Sequence, residues 1–196
     1  MSPSPPNTRP SMSSPGTRAA EADSRGVGGP ALTAGRGERV VIGIGEYAVT
    51  TAPDAEIVTY ALGSCVAVCI WDPVTRVAGM LHFLLPESKL NAERAARQPG
   101  TFADTGIPLL FQAAYKAGAV KSRLHVQLLG GAAITGGPSV LDVGRRNALL
   151  AKELLSQNGV LVKGEALGGT DTRTVSLSAS DGRVVVTRGR EVVEEL

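Results

Sequence analysis

The chain has 196 residues, 43% of them hydrophobic, enough to bury one core of ordinary domain size. Its 20 Lys and Arg stand against 18 Asp and Glu, and aromatic residues make up only 4%, a balance that excludes the basic surface and stacking aromatics of a nucleic-acid-binding domain. No apolar run reaches the roughly 18 residues needed to span a bilayer, the polar N-terminus lacks the apolar core of a signal peptide, and the two cysteines do not form a disulfide framework. These features predict a cytoplasmic protein with both thiols reduced.

Residues 1–38 are rich in Pro, Ser and Gly and are expected to be a disordered tail. Charge marks the same boundary, because residues 1–39 hold five Lys or Arg and three Asp or Glu, whereas residues 40–196 hold fifteen of each. A single domain is predicted over 39–190, with a short C-terminal tail over 191–196.

The domain opens with the apolar run Arg39-Val40-Val41-Ile42, which reads as a strand. The following Gly43-Ile44-Gly45-Glu46-Tyr47-Ala48 fits the dinucleotide pattern G-x-G-x-x-[GA]. That pattern works only where a helix starts at the glycines, and the β-branched Val49-Thr50-Thr51 with Pro53 argues against one. Two strands, Val66 to Trp71 and Val77 to Leu85, are predicted to form a hairpin around Asp72-Pro73-Val74-Thr75-Arg76. Pro86 ends the second, and Glu87 to Gly100 is predicted to be a mobile surface segment.

A helix is predicted over 104–117, capped by Asp104 or Thr105, with Pro108 in its first turn, Ile107, Leu110, Phe111 and Ala114 on one face, and Gly118 at its end. Leu124 to Leu128 alternates as a strand. A second helix is predicted from Gly144 to Asn158, with Leu150, Leu154 and Leu155 buried. Strands follow at Val160 to Ala166, Arg173 to Ala179 and Arg183 to Thr187, the last two joined by a turn at Asp181-Gly182. The fold class is mixed α/β (α+β) without regular βαβ alternation.

Few active sites can be built from two His and two Cys. No C-x₂-C or H-x₃-H pair is present, and neither G-x-S-x-G nor the phosphate loop occurs, so no metal or other cofactor is expected. What remains is a thiol paired with an imidazole. Cys65 follows Gly63-Ser64 at the entrance to a strand, where backbone amides at Gly63 and Ser64 can meet an oxyanion. Cys69, roughly 13 Å along the same strand, reads as a small core hydrophobe. His82 interrupts an apolar strand, where an imidazole needs a partner; a thiol across the hairpin is one, and an unrelated core contact is the other. His125 falls on the polar face of its strand.

At these residues the chain resembles the CheD family, the chemoreceptor glutamine deamidases of bacterial chemotaxis. The resemblance runs from about Val40 to Thr187 and includes Val41-Ile42-Gly43-Ile44-Gly45-Glu46-Tyr47, Leu62-Gly63-Ser64-Cys65-Val66-Ala67-Val68, Gly79-Met80-Leu81-His82-Phe83-Leu84-Leu85-Pro86, Phe102-Ala103-Asp104-Thr105-Gly106-Ile107-Pro108, Gly130-Gly131-Ala132 and Val143-Gly144-Arg145-Arg146-Asn147. It departs at Leu167 to Arg173, a Gly-rich stretch that often carries Asn or an aromatic before the arginine.

The resemblance implies a layered β-sheet core with helices outside, similar to the deamidase domains of certain bacterial toxins. It also implies a Cys65 nucleophile, His82 as its acid and base, and Thr59 as the third site residue. The implied reaction converts glutamine to glutamate on the cytoplasmic domain of a chemoreceptor, and a CheC-type phosphatase is an implied partner. Two other readings stay open: a thiol hydrolase or methylesterase of the same fold with another substrate, and a binding module for receptor or phosphatase that does not turn over.

Overall fold

Ten strands divide equally between two sheets in the computed structural model, which describes residues 37–133 and 142–196. In chain order the elements are β1 (Arg39–Ile42), β2 (Tyr47–Thr50), β3 (Glu56–Leu62), β4 (Val66–Trp71), β5 (Ala78–Phe83), α1 (Ala92–Arg97), α2 (Ala103–Lys116), β6 (His125–Gly130), α3 (Val143–Gln157), β7 (Val162–Leu167), β8 (Arg173–Ser178), β9 (Val184–Arg188) and β10 (Glu191–Glu195). One sheet runs β2-β5-β4-β6-β7 and the other β1-β3-β8-β9-β10. The expected tail at 1–38 lies almost wholly outside the described residues.

The hydrophobic pattern explains the layering. The run Val66-Ala67-Val68-Cys69-Ile70 is apolar at every position because β4 is covered on both faces. Ala67 and Cys69 face the second sheet with Met80, Ile42, Ile57, Leu62, Val175 and Leu177. Val66, Val68 and Ile70 face α2 and α3, where Leu81, Phe83, Leu110, Phe111 and Leu155 complete a second core layer. The helices thus cover one sheet only, giving a mixed α+β order of sheet, sheet, helices.

The hairpin forms as expected, with Val66 opposite Phe83 and Trp71 opposite Ala78. Other elements differ from the sequence reading. The Gly43 to Glu46 turn carries the chain from one sheet to the other, so β1 and β2 are separate strands. The segment 87–100, expected to be a mobile surface segment, contains a short 3₁₀ turn and α1, whose first turn is capped when Asn91 Oδ1 accepts from Arg94 N at 2.9 Å. In α2 neither expected cap acts as one: Asp104 instead accepts from Ser88 N and Oγ, and Thr105 Oγ1 donates to Pro99 O. Both side chains tie the 87–100 segment to the helix. The buried line of α3 is Gly144, Asn147, Ala151 and Leu155, with Leu150 and Leu154 only half-buried. Residues 191–195, read as a tail, pair with β9.

The hairpin turn also anchors the far end of the domain. Asp72, fully buried, accepts from Val74 N, Thr75 N and Val120 N and takes a two-pronged contact from Arg123. Burial pushes its carboxyl up, but the Arg123 guanidinium and the three amides outweigh this and hold it well below the usual carboxylate range. Because the folded value is depressed, the contribution is complete above the ordinary Asp value of about 3.9 and is lost as pH falls below it. Asp72→Ala strands Arg123 and three amides, so urea denaturation at neutral pH should show a loss of about 3 kcal/mol; a loss under about 1 kcal/mol contradicts the anchoring role.

Candidate active site

The site lies at the seam between the two sheets. His82 points from β5 into that seam, because it alternates with Ala78 and Met80, both of which pack there. It meets Thr59, which β3 of the opposite sheet presents from the other side. Thr59 Oγ1 donates to Ile42 O at 2.9 Å and lies 2.7 Å from His82 Nδ1. The hydroxyl has one proton and gives it to the carbonyl, so Nδ1 carries a hydrogen and donates to Oγ1. Nε2 is then the basic nitrogen, and it is buried with no hydrogen-bond partner among the described residues.

Cys65 occupies the same face as His82. Ala67 stands opposite His82 in the β4–β5 ladder, and Cys65 is two residues before Ala67, on the seam side with Ala67 and Cys69. Such a diagonal neighbour lies roughly 7–8 Å away along the backbone, a span that an imidazole and a thiol can bridge. Exposure is 6% for Cys65, 1% for His82 and 0% for Thr59.

Burial governs the protonation of the pair. It pushes the Cys65 thiol up from its ordinary value, opposed in part by the residue's own backbone N–H, and it pulls His82 down to about 4. At neutral pH the site holds a thiol beside a neutral imidazole. The resting site therefore holds no thiolate–imidazolium pair.

The turn bearing Cys65 is held by its carbonyls. Ala132 N donates to Gly63 O at 2.9 Å and Gly131 N to Cys65 O at 2.8 Å. Between them, Asn147 Nδ2 donates to Ser64 O at 3.0 Å. In planar peptides these anchored Gly63 and Ser64 carbonyls turn the Ser64 and Cys65 N–H groups away from Ala132 and α3. β3 reaches this turn through a bulge between Thr59 and Leu62, where Ala61 takes φ 53.

Of the residues singled out from sequence, His82 and Thr59 are in hydrogen-bond contact, and Cys65, with Gly63 and Ser64 before it, lies on the same seam one diagonal step along the hairpin. Cys69 lies deeper in the seam, fully buried, with its thiol pushed up by desolvation. His125 is five residues along β6 from the end that meets Val66, and it packs edge-on against Trp71 with ring centroids 5.4 Å apart. The glycine motif has a backbone role: Gly45 N donates to His82 O at 2.7 Å and Glu46 O accepts from His82 N at 3.0 Å. A Cβ at Gly100 would lie 2.3 Å from Gly45 O, so the motif packs against chain where a pyrophosphate would need space. Among the described residues, no three His, Cys, Asp or Glu side chains are grouped to hold a metal ion, and no helix is long and apolar enough to cross a membrane.

Sequence reasoning assigned no role to Asn147, which the structure buries completely beside the Cys65 turn. The available signal was a polar residue on the apolar line Gly144, Ala151 and Leu155. Strand β3 was also missed, although Glu56-Ile57-Val58-Thr59-Tyr60 is a β-rich run with Ile57 and Thr59 on one side.

A family model described as CheD chemotactic sensory transduction matches residues 84–188, beginning two residues after His82. A probable chemoreceptor glutamine deamidase, CheD 2, of Anaeromyxobacter dehalogenans strain 2CP-C is 49% identical over 78% of this chain and 96% of its own. A probable chemoreceptor glutamine deamidase, CheD 1, of Syntrophus aciditrophicus strain SB is 41% identical over 80% of this chain and 98% of its own. Among solved structures, a Neisseria meningitidis protein described under family-model DUF152 overlaps with a TM-score of 0.37 and 15% identity over 63% of this chain and 52% of that chain, too loosely to bear on fold or function.

The neutral pair has two measurable consequences. Alkylation of Cys65 by iodoacetamide should accelerate with pH through a midpoint above the ordinary thiol value of about 8.5; a rate plateau between about pH 5 and 8 would indicate an ion pair and overturn the assignment. Because the folded His82 value is about 4, below the ordinary value of about 6.5, the unfolded chain binds a proton in that window that the native state does not. His82 therefore supports full stability above pH 6.5 and loses it as pH falls toward 4. The urea midpoint should drop between pH 7 and pH 5 by more in the wild type than in His82→Gln.

Proposed function

The chain belongs to the CheD family, and on that premise we propose that it hydrolyses glutamine side-chain amides to glutamate on the cytoplasmic domains of chemoreceptors. The supporting observation is the bond from His82 Nδ1 to Thr59, which leaves the basic Nε2 unpaired on the face that carries Cys65. In this reading Nε2 takes the thiol proton while sulfur attacks the amide carbon, and the amides of the Gly63-Ser64-Cys65 turn receive the oxyanion. The imidazolium returns the proton to the nitrogen as ammonia leaves, giving a thioester. Water then attacks the thioester with His82 again as base, and glutamate and free thiol are released. The balance is glutamine plus water to glutamate plus ammonia.

Thr59 orients the imidazole through one neutral hydrogen bond and cannot offset an imidazolium as a carboxylate does. Its part is smaller than that of the pair it serves. Each turnover places a carboxylate on a receptor helix where a neutral amide stood, changing the charge of the bundle. This reading puts the work of the protein in the cytoplasm and takes a CheC-type phosphatase as its regulatory partner. The thioester route is equally open to a glutamyl methyl ester.

The test is peptide mass spectrometry of a receptor cytoplasmic fragment incubated with the full chain. Wild type should add about one mass unit per converted glutamine, Cys65→Ala none, and His82→Ala should be slower by on the order of 10²-fold or more. Thr59→Val is expected to lose about 10-fold and His125→Ala less than about 2-fold. Undiminished conversion by folded Cys65→Ala defeats the reading. Equal binding of the fragment by wild type and Cys65→Ala, with no mass gain in either, replaces it with a binding module.

A further inference from the structure

Asn147 sits on the buried line of α3, where its spacing from Gly144, Ala151 and Leu155 calls for an apolar side chain. Its Nδ2 donates to Ser64 O at 3.0 Å and to Leu84 O at 2.8 Å. Both partners are carbonyls, so only the amide nitrogen fits that position. Its Oδ1 is buried without a partner among the described residues, which makes the residue a poor choice for stability alone.

What Asn147 holds is the Ser64–Cys65 peptide. In a planar trans peptide the N–H points opposite to the C=O, so anchoring Ser64 O on α3 turns the Cys65 N–H away from α3. The bond from Ala132 N to Gly63 O acts in the same way on the Ser64 N–H. Gly144 makes the cradle possible, because a Cβ there would lie 2.3 Å from Ala132 O and keep α3 from reaching the turn. The second bond, to Leu84 O, fixes the chain two residues beyond His82. One side chain thus joins the turn of the thiol to the strand of the imidazole.

We propose that Asn147 is a positioning residue that orients the Cys65 N–H as an oxyanion donor, an inference that rests on Cys65 being the nucleophile. Its contribution belongs to reactions that pass through an oxyanion. Attack on a carbonyl needs the amide in place, whereas alkylation of the same sulfur develops no oxyanion.

Two reactions of the full chain separate these. Acetylation of Cys65 by p-nitrophenyl acetate, followed as nitrophenolate release and located by peptide mass spectrometry, should slow about 10- to 100-fold in Asn147→Ala. Alkylation of Cys65 by iodoacetamide should stay within about 2-fold of wild type. Should the alanine variant not fold, Asn147→Leu keeps the branched shape with apolar atoms and carries the same expectation. Equal slowing of both reactions, or no slowing of acetylation, overturns the proposal. Receptor deamidation run in parallel reports on the function separately: a wild type that acetylates at Cys65 but leaves receptor glutamines unchanged contradicts the deamidase reading, while selective loss in the variant still supports the positioning role.

Discussion

The hydrogen-bond chain from His82 Nδ1 through Thr59 Oγ1 to Ile42 O joins the two sheets and sets the chemistry of the seam. A buried imidazole in an apolar strand is costly unless a partner is supplied, and here the partner comes from the facing sheet. The single hydroxyl proton decides the tautomer, because giving it to a backbone carbonyl leaves Thr59 able only to accept. The basic nitrogen is thereby directed to the side of the ring that has no partner. Neighbouring contacts support that arrangement: Gly45 and Glu46 pair with the His82 backbone, and α3 holds the turn that carries Cys65.

Depth of burial makes the pair quiet at rest. Both side chains are largely excluded from solvent, which disfavours their charged forms. The same exclusion strengthens any hydrogen bond to an oxyanion that forms there. In the proposed reaction the Ser64 and Cys65 amides fit that use, since the carbonyls of their own peptide units, Gly63 O and Ser64 O, are engaged on the other side.

Much of the fold could be read from the chain because it depends on local pattern. The hairpin around Asp72 to Arg76 has turn chemistry at its centre and apolar runs on either side, and the helices follow their 3.6-residue spacing. Misreadings occurred where tertiary contacts outrank local preference. Asp104 and Thr105 are good capping residues, yet both bind the 87–100 segment instead. Glu191 to Glu195 is short and acidic like a tail, but it has an open edge of β9 to pair with.

The sequence by itself determined the reactive inventory: two thiols, two imidazoles, and a Gly-Ser turn placed before one of the cysteines. It also determined that Cys65 and His82 could share a hairpin face, because alternation within paired strands is a local rule. Thr59 was assigned by family resemblance, and nothing within its own strand distinguishes it from an ordinary strand threonine. Only the tertiary structure decided that it faces His82, that Nε2 is the free nitrogen, and that Asn147 reaches Ser64 O across 83 residues of chain. Those facts come from the packing of one sheet on another and of α3 on a turn. Periodicity tells which face of an element is buried, but not which residue of a distant element it will meet.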